Sequence, residues 1–435
     1  MWRAKSLLVW RKILGFVPFR VSLICLLSGS CLHAQEAGTG QGQAGTDSRQ
    51  PEQAAEMAEN EQLNSVVADS VRSMFQEKEM PLLNIRWGTK VFVDVPAGNE
   101  PAGAGLTLRK AELKLSRAFG KNFQAKVSGN YINGEFKAGD SYLVYSGWKA
   151  AILTAGVQDP PFSLEASSSS SAITFMEDAL PVNALSENKN AGVDFLRRTS
   201  NYVINASWVF YNPRVQGVSE TGQALVGRYV YSPIRFHGRK NFHLGGSFSY
   251  RFLNNNAEVQ LQSGPEVATA DEYYVNTGNI DDGNAVVRAG LEASQVNGRF
   301  SWQWEVLASR VMRNNADTLQ FWGAYFHLSQ FLTNDSRNYD QGSGTFINVV
   351  PNSPLGRDGW GAFEVAFRAS YVDLTDKDIV GGRESNLSLG FNWYLNEKLR
   401  VMANAIKVLD VDRPGSEYDG LDPLIFALRA QWLVY

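Results

Sequence analysis

Apolar and polar residues alternate with a period of two through most of the chain after residue 81. In one segment Phe242, Leu244, Phe248, Tyr250 and Phe252 alternate with His243, Ser247, Ser249 and Arg251. Successive side chains of a β-strand point to opposite faces, so this pattern predicts strands with one apolar and one polar face. Similar segments recur as far as residues 424–434. The chain is therefore predicted to be all-β.

The number and length of these segments predict a closed barrel in a membrane. Residues 81–435, divided by roughly 20 to 24 residues for each strand and its connection, give about 16 strands, an even number typical of such barrels. Small polar residues on the second face suit a water-filled lumen better than the surface of a soluble sandwich. We therefore expect a transmembrane antiparallel β-barrel, with a large secreted β-domain as the alternative.

The first 80 residues have a different character. Basic residues without any acid, followed by the apolar run 21–27 and small residues, predict a signal peptide at 1–34. Residues 35–80 contain a Gly- and Gln-rich linker and then apolar residues at helical spacing, which predict a periplasmic amphipathic helix. No later uncharged apolar stretch reaches the roughly 20 residues of a spanning helix, so a membrane location requires a barrel.

Composition excludes several classes of protein. Both cysteines, Cys25 and Cys31, lie in the predicted signal peptide, so the mature chain has no thiol for a disulfide or a metal. Without residues 1–34 the chain has 36 basic and 44 acidic residues, a net charge of -8. Nucleic-acid binders are normally basic, so we expect no such partner.

A family resemblance is carried by stretches in a fixed order along the chain. They are PFSLE at 161–165, ITFMEDALPVNAL at 173–185, NAGV at 190–193, ALVGRYVYSP at 224–233, FLTNDSRNYD at 331–340, GAFEVAFRASYVDL at 361–374 and GGRESNLSLGFNWYLNEKLRVMANAIKV at 381–408. Together they resemble the phosphate-selective porin O/P family of Gram-negative outer membranes. The resemblance implies a 16-stranded homotrimer surrounded by outer-membrane lipid, with a loop folded into the lumen and a basic wall that guides small anions such as phosphate. It also implies that the barrel-insertion machinery reads the C-terminal strand.

Strand parity predicts which charged residues line the lumen. The inward basic residues are Lys110, Lys114, Lys126, Arg228, Arg251, Arg288, Arg368 and Arg429, against the acids Glu112, Glu292, Glu305 and Glu364. A cationic wall in a narrow aqueous tube concentrates anions, so these eight residues are the predicted anion path. In the alternative interpretation they are salt-bridged and carry no selectivity.

Residues 159–190 are too long for a tight turn and are predicted to form the constriction loop inside the barrel. The candidate residues of this loop are Phe162, Glu165, Phe175, Met176, Glu177 and Asp178, of which Phe162, Phe175 and Met176 could pack the loop to the wall. The loop has a net charge of -4 and no arginine. Because a tight phosphate site needs several converging cationic donors, we expect weak anion selectivity without a high-affinity phosphate site.

The sequence thus predicts a passive outer-membrane porin, with no enzymatic activity, cofactor or metal. A non-conducting adhesion scaffold is the first alternative, favoured if residues 253–284 seal the mouth. A phospholipase-like hydrolase is less favoured: His327 and Ser329 share a strand face, but no third group to orient them is evident. The acidic residues between Asp410 and Asp422 could hold calcium, although a solvated loop is the simpler interpretation.

Overall fold

Sixteen antiparallel strands close into a barrel in the computed structural model. The structure describes residues 78–80, 85–98, 106–132, 135–210, 220–233, 239–254, 257–267, 273–357 and 359–434. All of them belong to the unit Glu59–Tyr435. The predicted signal peptide, linker and amphipathic helix before Lys78 lie outside the described residues, as does Tyr435.

The elements follow one another along the chain as antiparallel neighbours. The barrel strands are β2 (Ile85–Gly98), β3 (Thr107–Phe119), β4 (Phe123–Ile132), β5 (Glu135–Tyr145), β6 (Ile152–Gln158), β7 (Asn190–Arg198), β8 (Tyr202–Phe210), β9 (Gly222–Tyr231), β10 (Lys240–Leu253), β13 (Gly283–Asn297), β14 (Phe300–Arg313), β15 (Leu319–Phe331), β18 (Ala362–Asp376), β19 (Ile379–Tyr394), β20 (Leu399–Asp412) and β21 (Leu424–Val434). Shorter elements are β1 (Lys78–Met80), α1 (Leu164–Ser167), α2 (Leu180–Leu185), β11 (Gln262–Ser263), β12 (Val275–Asn276), β16 (Asn338–Asp340) and β17 (Thr345–Ile347).

The barrel closes because the first long strand pairs with the last. Strand β2 pairs with β3 on one side and with β21 on the other, where Val91 lies opposite Trp432. Closure gives each of the sixteen described barrel strands a neighbour on both sides, which satisfies its backbone hydrogen bonds. The predicted all-β barrel with about 16 strands is confirmed.

The strands expose their apolar face outward and bury their polar face. In β10, Ser249 and Arg251 are almost fully buried, whereas neighbouring Phe248 is 52% exposed. This inverted distribution is the one expected when lipid surrounds the barrel and polar groups fill its lumen. Among the described residues, no helix combines the length and apolar character needed to cross a membrane.

Three long connections fill much of the lumen. Residues 159–189 and 254–282 enter from one end, and residues 332–361 enter from the end where β2 begins and β21 finishes. The first and third meet inside the barrel, where the Phe346 N–H donates to Ser168 Oγ at 3.3 Å. The third connection is a feature that the sequence pattern did not predict.

The connections are held by apolar clusters inside the barrel. Leu180 and Leu185 of α2 pack with Val286 and Leu307 of the barrel wall, in a cluster that also includes Val259. A second cluster joins Met176, Val267 and Tyr274 to inward residues of β20 and β21. The inner face is therefore not uniformly polar, and the hydrophobic effect fixes the connections as it fixes a soluble core.

Candidate functional site

The charged residues of the lumen form two groups with different environments. The first, the arginine network, consists of Arg228, Arg251, Arg288, Arg368 and Arg429, whose exposed fractions are 5% or less. The second, the lysine wall, consists of Lys90, Lys110, Lys114 and Lys126 on β2, β3 and β4. The two groups differ in the side chains that contact them.

Arg228, Arg251 and Arg288 are bound by buried carboxylates. Arg228 Nε donates to Glu292 at 2.9 Å, and His243 Nε2 lies 3.0 Å from the same carboxylate. Arg251 and Arg288 share Glu187 and Glu220, with Arg288 Nη1 donating to Glu187 at 3.0 Å.

Glu187 belongs to the constriction loop, so this pairing ties the loop to the wall. Burial opposes ionisation, but the two guanidinium groups prevail and lower the pKa of Glu187 to about 2. Glu187 is therefore ionised at neutral pH, and the loop end before β7 is fixed by ion pairs to β10 and β13.

Arg368 and Arg429 hold the centre of the constriction loop. Arg368 lies 2.9 Å from Glu266 and 3.6 Å from Glu165. Arg429 donates to Asp94 at 2.6 Å and also pairs with Glu177. Because a buried ion pair is costly to break, the pairs of Arg368 with Glu266 and of Arg429 with Asp94 and Glu177 clamp the loops in place.

The eight predicted pore-lining residues all lie on the inner face, yet their environments separate them. The five arginines are buried and paired, as the salt-bridge interpretation expects. Lys110 and Lys126 keep side-chain exposures of 19% and 12%, whereas Lys114 is only 7% exposed. That the arginines carry anions stays a prediction, which their burial weakens.

The predicted constriction residues pack against the wall. Phe162, Phe175 and Met176 are 2% exposed or less, and the Arg368 guanidinium lies 4.4 Å from the centre of the Phe175 ring. Glu165 is buried and accepts the Ala179 N–H at 2.9 Å. These side chains therefore anchor the loop.

Glu177 and Asp178 are adjacent acids with opposite behaviour. Burial raises the pKa of Asp178 to about 6, and neighbouring Glu177 adds to the effect. Burial also opposes the ionisation of Glu177, but Arg109 and Arg429 overcome that cost and lower its pKa to about 2. The acidity of the loop is thus largely compensated by arginines, which the net charge of the loop alone did not indicate.

The serine tip of the loop, Ser167–Ser171, approaches the lysine wall. Lys90 Nζ donates to Ser169 Oγ at 2.8 Å, and Lys110 Nζ donates to Ser170 Oγ at 3.5 Å. Ammonium and hydroxyl groups are both hydrogen-bond donors to an oxyanion. The two surfaces therefore form a polar passage with donors on both sides.

Carboxylates are interspersed among these lysines. Glu112 Oε2 lies 3.4 Å from Lys110 Nζ and 4.0 Å from Lys90 Nζ. Asp140 accepts from Lys126 at 2.9 Å and also binds Lys189 of the loop. Four lysines against two carboxylates leave the lysine wall with a net charge of +2.

Strand parity did not predict two of the charged residues near this wall. Arg109 turns inward to bind Glu177 at 2.9 Å because a bulge interrupts the pairing of β3 with β2. A second irregularity in β5 places Asp140 beside Lys126. Gly139 was a usable signal, since a glycine inside a strand often marks a bulge. Strand parity could also have identified Lys90 as an inward residue, because it alternates with the apolar Val91.

The enzyme-like pair does not form a catalytic arrangement. His327 Nε2 lies 3.1 Å from Arg337 Nη1, whereas Ser329 shares a 2.8 Å hydrogen bond with Ser301. Within the described part of the chain, no cluster of three or more His, Cys, Asp or Glu residues is arranged to hold a metal ion. In the acidic loop, Asp412 instead pairs with Arg383 at 3.1 Å.

A closed 16-stranded barrel with an apolar exterior and a charged lumen defines the porin class. The model of the family "Phosphate-selective porin O and P" matches residues 83–433, and the chain belongs to this family. It is thus an outer-membrane porin of a Gram-negative bacterium, a channel and not an enzyme. The family assignment made from the sequence is confirmed.

Relatives and solved structures agree with this assignment. The chain is 23% identical over 343 residues to Porin O of Pseudomonas aeruginosa, covering 69% of this chain and 75% of that protein. It is 26% identical over 333 residues to an uncharacterised protein of Caulobacter vibrioides, covering 72% of this chain and 65% of that one.

The fold is similar to that of an anion-selective porin from Comamonas acidovorans, with a TM-score of 0.50, 12% identity and coverage of 80% and 99% of the two chains. It is also similar to OmpF of Salmonella typhi, with a TM-score of 0.52, 9% identity and coverage of 80% and 97%. At such low identity these likenesses show the fold alone.

Proposed function

We propose that this porin lets small solutes diffuse passively and prefers anions, which travel along the lysine wall. One observation carries the proposal: lumen-facing Lys90, Lys110 and Lys126 keep exposures of 15%, 19% and 12%, whereas Arg251, Arg288 and Arg368 on the opposite wall keep 1% or less. A permeating ion needs water-accessible side chains beside it, so the path is assigned to the lysine side.

The electrostatics of that side support an anion preference. A net positive charge on the wall of a narrow tube raises the local concentration of anions and repels cations. The serine hydroxyls opposite the lysines add neutral donors to a passing oxyanion.

The affinity for phosphate is proposed to be low. A lysine ammonium is a flexible point charge without the fixed bidentate geometry of a guanidinium. The five arginines of the network have this geometry, but they are already bound to carboxylates. Chloride, phosphate and similar anions would therefore pass with a modest preference and without a tight site.

Replacement of the exposed lysines tests the proposal. The variant Lys90→Gln, Lys110→Gln, Lys126→Gln should lose at least half of the wild-type anion preference, because three lumen charges disappear. The measurement is the zero-current potential of single channels in a planar bilayer under a salt gradient.

A matched control separates the wall from net charge. Lys121, Lys149 and Lys398 are exposed in turns between strands, away from the lysine wall, so their triple glutamine variant should keep the wild-type potential. If the lumen variant also keeps that potential, the path does not follow these lysines. The quadruple alanine variant of Arg228, Arg251, Arg288 and Arg368 is expected instead to weaken the loop anchors.

The non-conducting scaffold remains a second candidate for one reason. The connection 254–282 does enter the lumen, and Val259, Leu261 and Val275 pack in the apolar cluster there. Its described residues pack on the arginine side, however, where Glu266 pairs with Arg368. Absence of any current from the reconstituted protein would favour the scaffold.

Three further features stay predictions. A homotrimeric assembly and the reading of the C-terminal strand by the insertion machinery rest on the family resemblance. A mature chain that begins near Gln35 rests on the pattern of the predicted signal peptide.

A further inference from the structure

Glu112 occupies an unusual position for a carboxylate in an anion path. Its Oε2 atom lies between two ammonium groups, 3.4 Å from Lys110 Nζ and 4.0 Å from Lys90 Nζ. These lysines are also the two that contact Ser169 and Ser170 of the loop. One oxygen of this chain therefore lies where the donors of the narrow passage converge.

This arrangement is the one that a bound oxyanion would adopt. Two ammonium groups with hydroxyl groups nearby suit a singly or doubly charged oxygen ligand. The Glu112 carboxylate has the same kind of charge and the same acceptor atoms as such a ligand. It also lowers the local positive charge that would otherwise attract an anion from water.

The backbone keeps Glu112 at this position. Strand register places it opposite Lys90 on β2 and Asn130 on β4. Its carbonyl oxygen accepts a hydrogen bond from Thr89 Oγ1 at 2.6 Å. A tethered group has a high effective concentration, so the carboxylate is always available to the two lysines.

We propose that Glu112 is a specificity-determining residue that acts as a built-in competitor for the permeating anion. It takes the place of an anion oxygen between Lys90 and Lys110, and a passing anion must displace it. Anions are thereby attracted to the wall but not retained on it. This inference rests on the proposed anion path and explains how phosphate is released from the path.

Neutralising the carboxylate tests the inference. Glutamine has nearly the same size, so Glu112→Gln removes the charge and leaves the two lysines without their internal partner. Inorganic phosphate added to a channel that carries chloride should then block it at a concentration at least about tenfold lower than in the wild type. Single-channel recording in a planar bilayer gives the half-blocking concentration for each protein.

Two controls define the cause of a change. Glu397 is 51% exposed at its side chain and pairs with Lys398 in the turn between β19 and β20, so Glu397→Gln removes an equal charge away from the passage and should not alter the block. The Glu112→Asp channel keeps the charge, so phosphate should block it at a concentration close to the one that blocks the wild type. Adding Lys90→Gln to Glu112→Gln should reverse the gain in phosphate affinity.

The outcomes separate this inference from the proposed function. An unchanged or weaker phosphate block in a folded Glu112→Gln channel overturns the role of Glu112, even when the wild type is anion-selective. A wild type without anion preference overturns the path itself. If the Glu112→Gln channel does not insert, the phosphate block of Glu112→Asp and Glu112→Ala gives the same comparison of charged and uncharged side chains. Heat-modifiable migration on a denaturing gel shows whether these two variants fold.

Discussion

At the scale of single residues, the position of Lys114 depends on a glycine. Gly88 lies opposite Lys114 across β2 and β3, and the lysine stem crosses the space that a side chain at Gly88 would fill. A methyl group there would lie 2.6 Å from Lys114 Cε and 3.1 Å from the carbonyl oxygen of Val434. Since the nearer neighbour is the far part of a flexible side chain, the lysine would move most, and the backbone at Val434 would shift only slightly.

We therefore expect Gly88→Ala to fold and to move the Lys114 ammonium group. The anion preference should fall, but by less than in Lys114→Gln, because the charge is displaced and not removed. A methyl group at Gly129 would meet no described atom within 4 Å, so Gly129→Ala is the matched control. Equal zero-current potentials for Gly88→Ala and Gly129→Ala would show that the position of Lys114 is unimportant.

Individual residues also show where prediction from the sequence stops. Parity correctly placed Lys110 and Arg251 on the inner face because strand alternation is a local property. It could not predict that Arg251 is neutralised by Glu187 and Glu220, which are distant in sequence. Nor could it predict the inward turn of Arg109, since a bulge breaks the period at that residue.

At the scale of elements, ion pairs and hydrogen bonds to carboxylates hold the constriction loop at its two ends and at its centre. Glu187 accepts from Arg251, Arg288 and Ser249 just before β7. Glu305 accepts the N–H groups of Leu164 and Glu165 at 2.9 and 2.8 Å, where α1 begins. A connection of this length thus behaves as part of the barrel and not as a free loop.

Removing the charge of Glu187 should release that end of the loop. In Glu187→Gln, Glu220 is the one carboxylate partner that the described residues still offer to the buried Arg251 and Arg288. Breaking a buried pair costs about 3–5 kcal/mol. We expect a lower thermal unfolding temperature together with larger and noisier single-channel conductance.

The exposed Glu417 supplies the control for that change. Glu417→Gln removes the same charge in the connection 413–423, and both measurements should match the wild type. A Glu187→Gln channel with wild-type conductance and unfolding temperature would contradict the anchoring role of Glu187.

At the scale of the whole molecule, the barrel follows from the sequence more directly than its contents do. Period-two alternation specifies the strands, and closure follows from the need to satisfy every backbone group in lipid. The apolar clusters inside the barrel were not predicted. Val286 and Leu307 point inward, but their neighbours in the sequence are also apolar, so alternation does not mark them as inward residues. Their partners on α2 and near Val259 come from connections whose path into the lumen is a tertiary property.

The stability of the whole protein should depend on pH through Glu165. This side chain is buried within the loop, accepts the Ala179 N–H and lies 3.6 Å from Arg368, which also serves Glu266. Burial raises the pKa of Glu165 from 4.5 to about 8, and Arg368 offsets only part of that effect. The folded protein therefore prefers the protonated carboxyl group.

The direction of the effect follows from this raised pKa. The favourable contribution is complete below the unfolded pKa of 4.5 and is lost as the pH rises through about 8, because the unfolded chain releases the proton earlier. Asp178, with a pKa of about 6, acts in the same direction. Glu177 and Glu187, whose pKa values are lowered from 4.5 to about 2, act in the opposite direction, and their contribution is lost as the pH falls from about 4.5 to about 2.

We accordingly expect the thermal unfolding temperature to fall between about pH 5 and about pH 9, measured by circular dichroism in detergent. Glu165→Gln carries a permanently neutral group of similar shape, so the part of the decline above about pH 6 should be smaller in this variant. Glu417→Gln should keep the full decline, since its side chain is exposed. A wild-type unfolding temperature that rises with pH over this range, or a decline that Glu165→Gln retains in full, would show that the buried carboxyl group does not control the docking of the loop.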